Sequence, residues 1–305
     1  MIFNRFRAAM NTAPSLGAAA ELAPGDYEQE LEFEGRARWY SVHVPAGYEK
    51  AKPAPLVLNF HGGGGNPNQQ RNDSCMDDTA DRNGFVVVYP AGTGPFPRRM
   101  LTYNAGICCG YARNNNVDDV GFTKAVLDDV ARFVPYDAKR VYAAGFSNGG
   151  FLCYRLACEI PERFAAIAVV SAVQGIGFDG HRDGRPVPLM HIHGLLDHNV
   201  NYRGGVGEHA MEKIGRPSVA ETLQFWLARN RCRKDAFEET RKGAAVCRRL
   251  KPDAGGAPVV LWTLENGGHT WPGGRSTLPE SMVGPINHDV SASELIWDFF
   301  KEIQS

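Results

Sequence analysis

Short runs of consecutive apolar residues recur along the chain, and stretches with helical spacing separate them. The two earliest segments alternate instead: apolar and polar residues alternate over Tyr27–Phe33 and over Trp39–Val44, with Glu34-Gly35 between them. A period of two is typical of a strand with one buried face, so these segments predict a hairpin at the edge of a sheet. The later runs, rich in β-branched residues, are typical of parallel strands covered on both faces. They are Leu56–Phe60, Phe85–Tyr89, Val141–Ala144, Ala166–Ser171, Leu189–His193 and Val259–Leu264.

Helices are predicted between these strands. Asp118 and Asp119 precede a stretch in which Phe122, Val126 and Val130 share one face. Aspartate suits the start of a helix, because it caps free N–H groups and complements the helix dipole, so capping is preferred here over a catalytic carboxylate pair. The other predicted helices are Phe151–Glu159, Val219–Asn230 and Ser291–Ile303. Strands alternating with helices predict an α/β fold with a mostly parallel, doubly wound sheet and helices on both of its faces.

A single domain is predicted over residues 25–305, preceded by a flexible leader over residues 1–24. Within the leader, polar residues and Pro14 interrupt the apolar core that a secretion signal requires. The stretch Gly194–Pro217 is rich in glycine and has no periodicity, which indicates a surface excursion near the functional site and not a linker between domains.

Charge and cysteine content narrow the possible partners. The chain of 305 residues has a net charge of −1, which offers no electrostatic case for binding nucleic acid or an anionic membrane. Its seven cysteines contain no C-x-x-C pair, so a zinc or thioredoxin-type site is not expected. Cys232 and Cys247 could close a loop of about fifteen residues, worth about 3 kcal/mol. Cys153 and Cys158 are expected to be core thiols.

The segment Gly145–Gly149 reads G-x-S-x-G and lies between a predicted strand and a predicted helix. In that context a serine is held on a tight turn with its hydroxyl exposed, and the flanking glycines let the backbones approach. The pattern is short, and on its own it is equally typical of an ordinary strand–helix turn. Ser147 is interpreted as a nucleophile because suitable partners follow it.

A serine nucleophile needs a base, and the base needs an orienting carboxylate. Asp197 follows the predicted strand Leu189–His193, and His269 lies in the glycine-rich loop Gly267–Gly274 after the last predicted strand. The order Ser, Asp, His is that of sheets of this type. The alternatives are an aspartate that bonds its own loop and a histidine in an ordinary turn.

Upstream, His61 and four glycines directly follow the predicted strand Leu56–Phe60. Backbone N–H groups of Gly62 and Gly63, together with that of Asn148, are predicted to form an oxyanion hole. A phosphate-binding loop is excluded, because neither G-x-x-x-x-G-K-[ST] nor G-x-G-x-x-G is present.

Two alternatives to a serine hydrolase remain. His191 and His193 share one strand face and His198 is close in sequence, which would suit a metal-dependent hydrolase. No neighbouring Cys or Glu completes a ligand set, so packing is preferred for these histidines. A catalytically silent hydrolase scaffold that only binds is the other alternative, but it would be expected to lack a triad member.

Together these segments resemble the esterase family that includes extracellular polyhydroxybutyrate depolymerases and the feruloyl esterases of carbohydrate esterase family 1. The resemblance runs from about Gly25 to the C-terminus. Its matching blocks are Phe60–Gly64, Tyr103–Gly106, Cys108–Gly110, Val117–Phe122, Arg140–Tyr142, Gly145–Gly150, Tyr154–Cys158, His191–Gly194 with Asp197, and Gly267–Gly274.

The resemblance implies an α/β-hydrolase fold and a triad of Ser147, Asp197 and His269, with no cofactor and no metal. It also implies that Trp271 shapes the acyl or leaving-group pocket, and His61 and Tyr103 are further predicted substrate contacts. Phe96 and Tyr111 are further aromatic candidates for stacking on a phenolic acyl group. Family members often have a paired cysteine where Cys232 and Cys247 fall.

The expected activity is that of a serine carboxylesterase acting through an acyl-enzyme. Its expected substrates are feruloyl or acetyl esters of plant polysaccharide, or short hydroxyalkanoate (polyester) oligomers. No Ser/Thr-rich linker or substrate-binding domain follows the catalytic part, which favours soluble esters or short oligomers. The enzyme is expected to be a monomer or homodimer that is secreted or periplasmic, with a cytoplasmic location as the alternative.

Overall fold

The computed structural model describes Ser15 and residues 23–175, 177 and 181–303. Nearly all of the predicted leader, residues 1–24, lies outside these residues. In the described part of the chain, ten strands form one sheet. They are β1 (Gly25–Phe33), β2 (Arg36–Val44), β3 (Ala54–Phe60), β4 (Val86–Pro90), β5 (Tyr136–Phe146), β6 (Ala166–Val170), β7 (Leu189–Gly194), β8 (Cys232–Lys242), β9 (Ala245–Pro252) and β10 (Val259–Leu264).

The spatial order of the strands is β1-β2-β4-β3-β5-β6-β7-β10-β9-β8. The six central strands, from β4 to β10, pair in parallel, and each end of the sheet carries an antiparallel hairpin. Every residue of β3, β4, β6 and β7 is buried, which explains their continuous apolar sequences. The prediction of a mostly parallel sheet with an edge hairpin is confirmed.

Helices cover both faces of this sheet. Leu56 and Leu58 of β3 belong to an apolar cluster with the helices over residues 119–130, 148–159 and 219–229. Val57 between them belongs to a second cluster with the helices over residues 76–83 and 292–302. None of the helices in the described ranges is both long and apolar enough to cross a membrane. The helices are α1 (Pro67–Ser74), α2 (Met76–Asn83), α3 (Gly110–Asn114), α4 (Asp119–Val130), α5 (Asn148–Glu159), α6 (Val219–Arg229), α7 (Glu280–Val283) and α8 (Ala292–Glu302).

The two aspartates at the start of α4 have structural roles. Asp118 caps the helix, because its carboxylate accepts a hydrogen bond of 2.8 Å from the N–H of Gly121. Asp119 is fully buried and pairs with Arg38 at 2.7 Å. The interpretation of this pair as capping and not as an acid/base pair is therefore confirmed for Asp118, while Asp119 stabilises the core.

The cysteine pairing suggested for Cys232 and Cys247 is wrong. The two residues lie in the hairpin β8–β9, whose register sets Cys232 opposite Pro252 and Cys247 opposite Thr240. Five residues of strand separate Cys247 from Pro252, about 17 Å at 3.3 Å per residue, whereas a disulfide needs Cα atoms closer than about 7 Å. Both cysteines are free thiols.

The prediction that Cys153 and Cys158 are core thiols is confirmed, because both are free and buried on α5. Cys108 and Cys109 are joined by a disulfide.

Candidate active site

Ser147 lies on the sharp turn between β5 and α5. Its φ of 50° and ψ of −118° fall in the left-handed half of backbone space, which a residue with a Cβ adopts only at a cost. The flanking glycines make the turn fit: a Cβ on Gly145 would meet the backbone of Gly149, and one on Gly149 would meet the carbonyls of Phe60 and His61. The turn therefore requires glycine on both sides of the serine.

Three loops bring a hydroxyl, an imidazole and a carboxylate into contact. The Nε2 atom of His269 lies 2.9 Å from the Oγ of Ser147, and its Nδ1 atom lies 2.8 Å from Oδ2 of Asp197. Asp197 comes three residues after β7 and His269 five residues after β10, and these two strands are neighbours. Because the strands are parallel, their carboxyl ends meet at the same edge of the sheet as the turn after β5.

The carboxylate of Asp197 is buried and accepts hydrogen bonds at both oxygens. Oδ1 accepts the N–H groups of Asn199 and Val200 at 2.9 and 2.7 Å. Oδ2 faces the Nδ1 of His269 and, at 3.3 Å, the Nε2 of His193. Burial opposes the negative charge, but the two histidines outweigh it and hold the pKa of Asp197 well below its usual value. The group is therefore ionised at neutral pH.

Behind Asp197, a chain of hydrogen bonds runs through two buried histidines. The hydroxyl of Tyr154 donates to Nδ1 of His191 at 2.6 Å, and Nε2 of His191 lies 3.2 Å from Nδ1 of His193. The Nε2 of His193 in turn lies 2.7 Å from the carbonyl of Val200. Burial lowers the pKa of His191 well below its usual value, so it is neutral. The carbonyl of Val200 can only accept, so Nε2 of His193 donates to it, and the N–H on Nε2 of His191 points toward Nδ1 of His193.

This chain argues against the metal-dependent alternative. Both ring nitrogens of His191 and of His193 are already engaged in hydrogen bonds, so neither ring has a lone pair directed at an ion. The side chain of His198 is 56% exposed and faces Glu208 instead. The three histidines predicted as an alternative metal site therefore do not form one.

Elsewhere in the described residues, one group of side chains has the spacing of a metal site: Asp26, His43 and Asp77. The guanidinium of Arg71 lies 2.8 Å from Asp77 and 3.1 Å from Asp26, so a cation of the protein already neutralises these carboxylates. A metal ion would have to displace it. The group lies at the β1–β2 end of the sheet and has no part in the chemistry at Ser147.

Gly62 and Gly63 lie against the turn that carries Ser147. A Cβ on Gly62 would be 3.5 Å from that of Ser147, and one on Gly63 would be 3.5 Å from that of Asn148. Within the described residues, the N–H groups of Gly62, Gly63 and Asn148 have no protein acceptor. The next glycine, Gly64, donates its N–H to the carbonyl of Leu101. Three unpaired N–H groups near one hydroxyl form an arrangement that can bind an oxyanion.

His61 and Tyr103 support this arrangement. The Nδ1 of His61 donates to the carbonyl of Gly62 at 2.7 Å, and its Nε2 accepts the N–H of Gly92 at 3.0 Å. Burial lowers the pKa of His61 to about 4, which keeps it neutral. The backbone N–H and C=O of Tyr103 hold both ends of the Asn148 amide, at 2.7 and 3.0 Å.

The prediction that Tyr103 contacts substrate is not met by its position. Its ring is buried outside the cavity at Ser147 and packs edge-on against Phe60. Its hydroxyl donates to the carbonyl of Pro90. Phe96 and Tyr111 do not line the cavity either. Trp271 and His61 line the cavity, and their contact with substrate stays a prediction. The Nε1 of Trp271 donates to the hydroxyl of Ser293, which fixes its ring.

A cavity of about 350 Å³ opens at Ser147. Several of its lining residues were not singled out from the sequence. Phe151, one helical turn after Ser147, could have been found from its spacing on α5, whereas Met211 and Arg216 lie in an aperiodic excursion that gave no signal. The residues that line the cavity include Gln69, Asp73, Phe146, Phe151, Asn199, Met211, Arg216, Trp271 and Met282.

Residues 39–182 match the model of the family described as esterase PHB depolymerase. The chain is similar to the putative esterase NocK of Nocardia uniformis subsp. tsuyamanensis, with 29% identity over 94% of this chain and 89% of that protein. It is similar to feruloyl esterase B of Piromyces equi, with 29% identity over 75% of this chain but only 42% of that protein.

A solved structure supports the fold at a greater distance. Acetyl xylan esterase from Aspergillus awamori superposes with a TM-score of 0.58 at 14% sequence identity, over 90% of this chain and 98% of that one. At such low identity the likeness shows the fold alone, which is that of the α/β-hydrolases. The matched segment, residues 39–182, is just under half of the chain, and over it the chain is similar to the esterase family of the polyhydroxybutyrate depolymerases. The matched family and both curated relatives are esterases, which supports the activity of a carboxylic ester hydrolase for this chain.

Proposed function

We propose that the protein hydrolyses esters with Ser147 as nucleophile, His269 as general base and acid, and Asp197 as the orienting carboxylate. The observation that supports this most strongly is the pair of hydrogen bonds at 2.9 and 2.8 Å that join the three groups in series. With Nδ1–H directed at Asp197, the Nε2 of His269 has its lone pair toward the serine hydroxyl. That tautomer is the one that can accept a proton.

In the first half of the reaction, the Oγ of Ser147 attacks the ester carbonyl carbon and its proton passes to Nε2 of His269. The carbonyl oxygen takes up the negative charge and is bound by the free N–H groups of Gly62, Gly63 and Asn148. When the tetrahedral intermediate collapses, the C–O bond to the alcohol breaks and His269 gives its proton to the departing alkoxide. The acyl group remains on Ser147.

In the second half, a water molecule takes the place of the alcohol. His269 accepts a proton from the water as it attacks the acyl carbon, and the same three N–H groups hold the second oxyanion. The bond to Ser147 then breaks, the serine oxygen recovers its proton from His269, and the carboxylic acid leaves. Asp197 stays ionised throughout and stabilises the imidazolium in both halves.

The variant Ser147→Ala tests this assignment with 4-nitrophenyl butyrate as substrate. We expect turnover to fall to the level of the uncatalysed reaction while the thermal unfolding midpoint stays close to that of the wild type. A serine-directed phosphonate should inactivate the wild type by adding mass to the peptide that contains residue 147, and a chelator should have no effect. Turnover retained in the alanine variant, or loss of turnover with chelator, would contradict the mechanism.

The substrates proposed are feruloyl or acetyl esters of plant polysaccharide and short hydroxyalkanoate oligomers. The cavity supports an apolar acyl group, because Phe146, Phe151 and Trp271 line it. At its rim Met211 and Met282 are 59% and 51% exposed, which suits contact with an apolar chain that extends beyond the cavity. Parallel assays with methyl ferulate and with hydroxybutyrate oligomers distinguish the two classes by their kcat/KM.

The remaining expectations stay predictions. Export to the periplasm or medium is tested by cell fractionation of the native host. A monomer or homodimer is tested by sedimentation of the purified chain. Degradation of polyester is tested by release of soluble oligomers from a film, with Ser147→Ala as the control.

A further inference from the structure

Arg216 brings a positive charge into the cavity that also contains Ser147. It lies in the excursion between β7 and α6, and its side chain is half-buried against the cavity wall. The guanidinium donates one hydrogen bond, of 3.1 Å, to the carbonyl of Asn199, and it lies 5.2 Å from the centre of the Phe151 ring. These contacts hold the stem and one edge of the group. They leave most of its five N–H donors unused.

No carboxylate of the described chain neutralises this guanidinium. Ion pairs within 4 Å are found for many arginines of the protein, and Arg216 is not among them. The two acidic groups that act on it electrostatically are Glu212 and Asp197, and both act from a greater distance. Burial lowers the pKa of Arg216, but an arginine side chain stays charged at any physiological pH.

Both of those carboxylates are committed to other partners. Glu212 accepts the N–H of Gly110 at 2.8 Å and pairs with Arg113 at 3.3 Å. Asp197 accepts hydrogen bonds from two backbone N–H groups and faces His269 and His193. Neither can turn toward Arg216 without leaving other buried donors unpaired. Neither carboxylate is therefore available to form an ion pair with Arg216.

Among the described residues that line the cavity, the carboxylate is that of Asp73, and it forms no ion pair with Arg216. One of its oxygens accepts from Gln69, and the other is buried without a hydrogen-bond partner. Partial burial of a cation without a counter-ion costs free energy, and an anionic group of a bound ligand would offset that cost. A carboxylate is the natural complement, because two of its oxygens match the planar fork of a guanidinium.

We propose that Arg216 binds a carboxylate carried by the substrate, so that the enzyme prefers esters of hydroxy acids or diacids that bear one free acid group. This proposal rests on the hydrolysis proposed above and narrows its substrate class. Short hydroxyalkanoate oligomers have this chemistry, because each ends in a free carboxylate, whereas methyl ferulate does not. The acid group would reach Arg216 from either the acyl or the alcohol side of the scissile bond.

Two pairs of substrates test the proposal and separate those two sides. On the acyl side, mono-4-nitrophenyl glutarate is compared with its neutral glutaramate counterpart, in which a carboxamide replaces the carboxylate. On the alcohol side, 3-butyryloxybutanoate is compared with 3-butyryloxybutanamide. Acid and amide have nearly the same size, so the ratio of their kcat/KM values reports the charge alone. We expect the wild type to prefer the acid by at least about tenfold in one pair, roughly the effect of one charge-assisted hydrogen-bonded contact.

Variants then assign the preference to the guanidinium. Arg216→Met should remove the preference by lowering kcat/KM for the acid at least about tenfold while the amide changes less than about threefold. Arg216→Lys should keep part of the preference, since it retains the charge but not the fork. The matched control is Arg203→Met, which removes an exposed positive charge from the same excursion outside the cavity. It should leave the ratio of acid to amide unchanged.

The other results overturn the proposal in distinguishable ways. Equal kcat/KM for acid and amide in both pairs of the wild type refutes the carboxylate site while leaving ester hydrolysis intact. An equal loss for acid and amide in Arg216→Met shows that Arg216 only supports the loop of Asn199. Absence of turnover for all four compounds by a wild type that hydrolyses 4-nitrophenyl butyrate refutes the carboxylate site alone, whereas absence of turnover for 4-nitrophenyl butyrate as well ends both proposals. If the methionine variant does not fold, inhibition of 4-nitrophenyl butyrate hydrolysis decides, with glutarate expected to compete and glutaramide not.

Discussion

Replacing Asp197 by asparagine tests how the carboxylate sets the chemistry of His269. The two oxygens of Asp197 face different kinds of donor: Oδ1 faces the backbone N–H groups of Asn199 and Val200, and Oδ2 faces the ring of His269. Backbone amides cannot give up their hydrogens. The asparagine oxygen must therefore take the Oδ1 position, and its NH₂ group must take the Oδ2 position.

In that orientation the new NH₂ group donates to Nδ1 of His269, and Nδ1 can only accept. The imidazole proton must then be on Nε2, which points at the hydroxyl of Ser147. A protonated Nε2 cannot act as a base, so the variant has its histidine in the wrong tautomer. Removing the triad carboxylate in this way lowers kcat by about 10⁴-fold, or about 5.5 kcal/mol at about 1.36 kcal/mol per factor of ten.

The assay is steady-state hydrolysis of 4-nitrophenyl butyrate by Asp197→Asn and the wild type, with thermal unfolding measured on the same preparations. We expect kcat to carry the loss and KM to stay within about threefold, because Asp197 is buried behind His269 and does not touch substrate. Asp197→Glu is the companion variant: it keeps the charge and should retain more activity than asparagine if the tautomer matters more than side-chain length. A kcat within tenfold of the wild type in a folded Asp197→Asn enzyme would refute the reasoning.

Three further predictions concern stability. Burial alone would lower the pKa of His43, but the surrounding aspartates raise it. The contribution of His43 to stability is therefore complete below the usual histidine pKa of about 6.5 and is lost as pH rises through the raised pKa. His43→Gln should lower the melting temperature more at about pH 5.5 than at about pH 8.5, and an equal loss at both pH values would contradict this. Arg38→Met should cost about 3–5 kcal/mol in urea unfolding, because it leaves the buried charge of Asp119 unpaired, and a loss below 1 kcal/mol would count against that pair. Tyr154→Phe removes the donor to His191 and should cost about 1–3 kcal/mol of unfolding free energy in the same assay, while no change would mean that the hydrogen-bond chain contributes nothing.

The sheet could be predicted where burial leaves a pattern in the sequence. β3, β6 and β7 are buried along their whole length, so each is a continuous apolar run. The hairpin β8–β9 was missed for the converse reason. Almost all of β8 is exposed at the edge of the sheet, so its charged sequence carries no apolar signal, and only pairing with β9 makes it a strand.

The helices α1 and α2 were missed for a similar reason. Both are short and polar, with few buried side chains. Local signals were present, since Asn66 caps α1 and Pro67 begins it, but a cap without an apolar face predicts a turn equally well. Both helices pack on β4, and α2 also packs on α8, which is distant in sequence, so their stability depends on tertiary contacts.

The sequence alone determined the identity and chain order of the three residues proposed as the triad. Ser147 needs glycines on both sides because its turn leaves no space for a Cβ, and that requirement is visible in five consecutive residues. Asp197 and His269 could be predicted because each follows a strand at the edge where parallel strands end.

Only the tertiary structure decided what surrounds those residues. It directed the buried ring of His193 at Asp197, placed Tyr103 under Asn148 and not in the cavity, and set Arg216 beside Phe151 without a counter-ion. Each of these facts depends on the distance between side chains from separate loops. No local pattern encodes such a distance, because it arises only when the strands pair in their final order and bring their ends together.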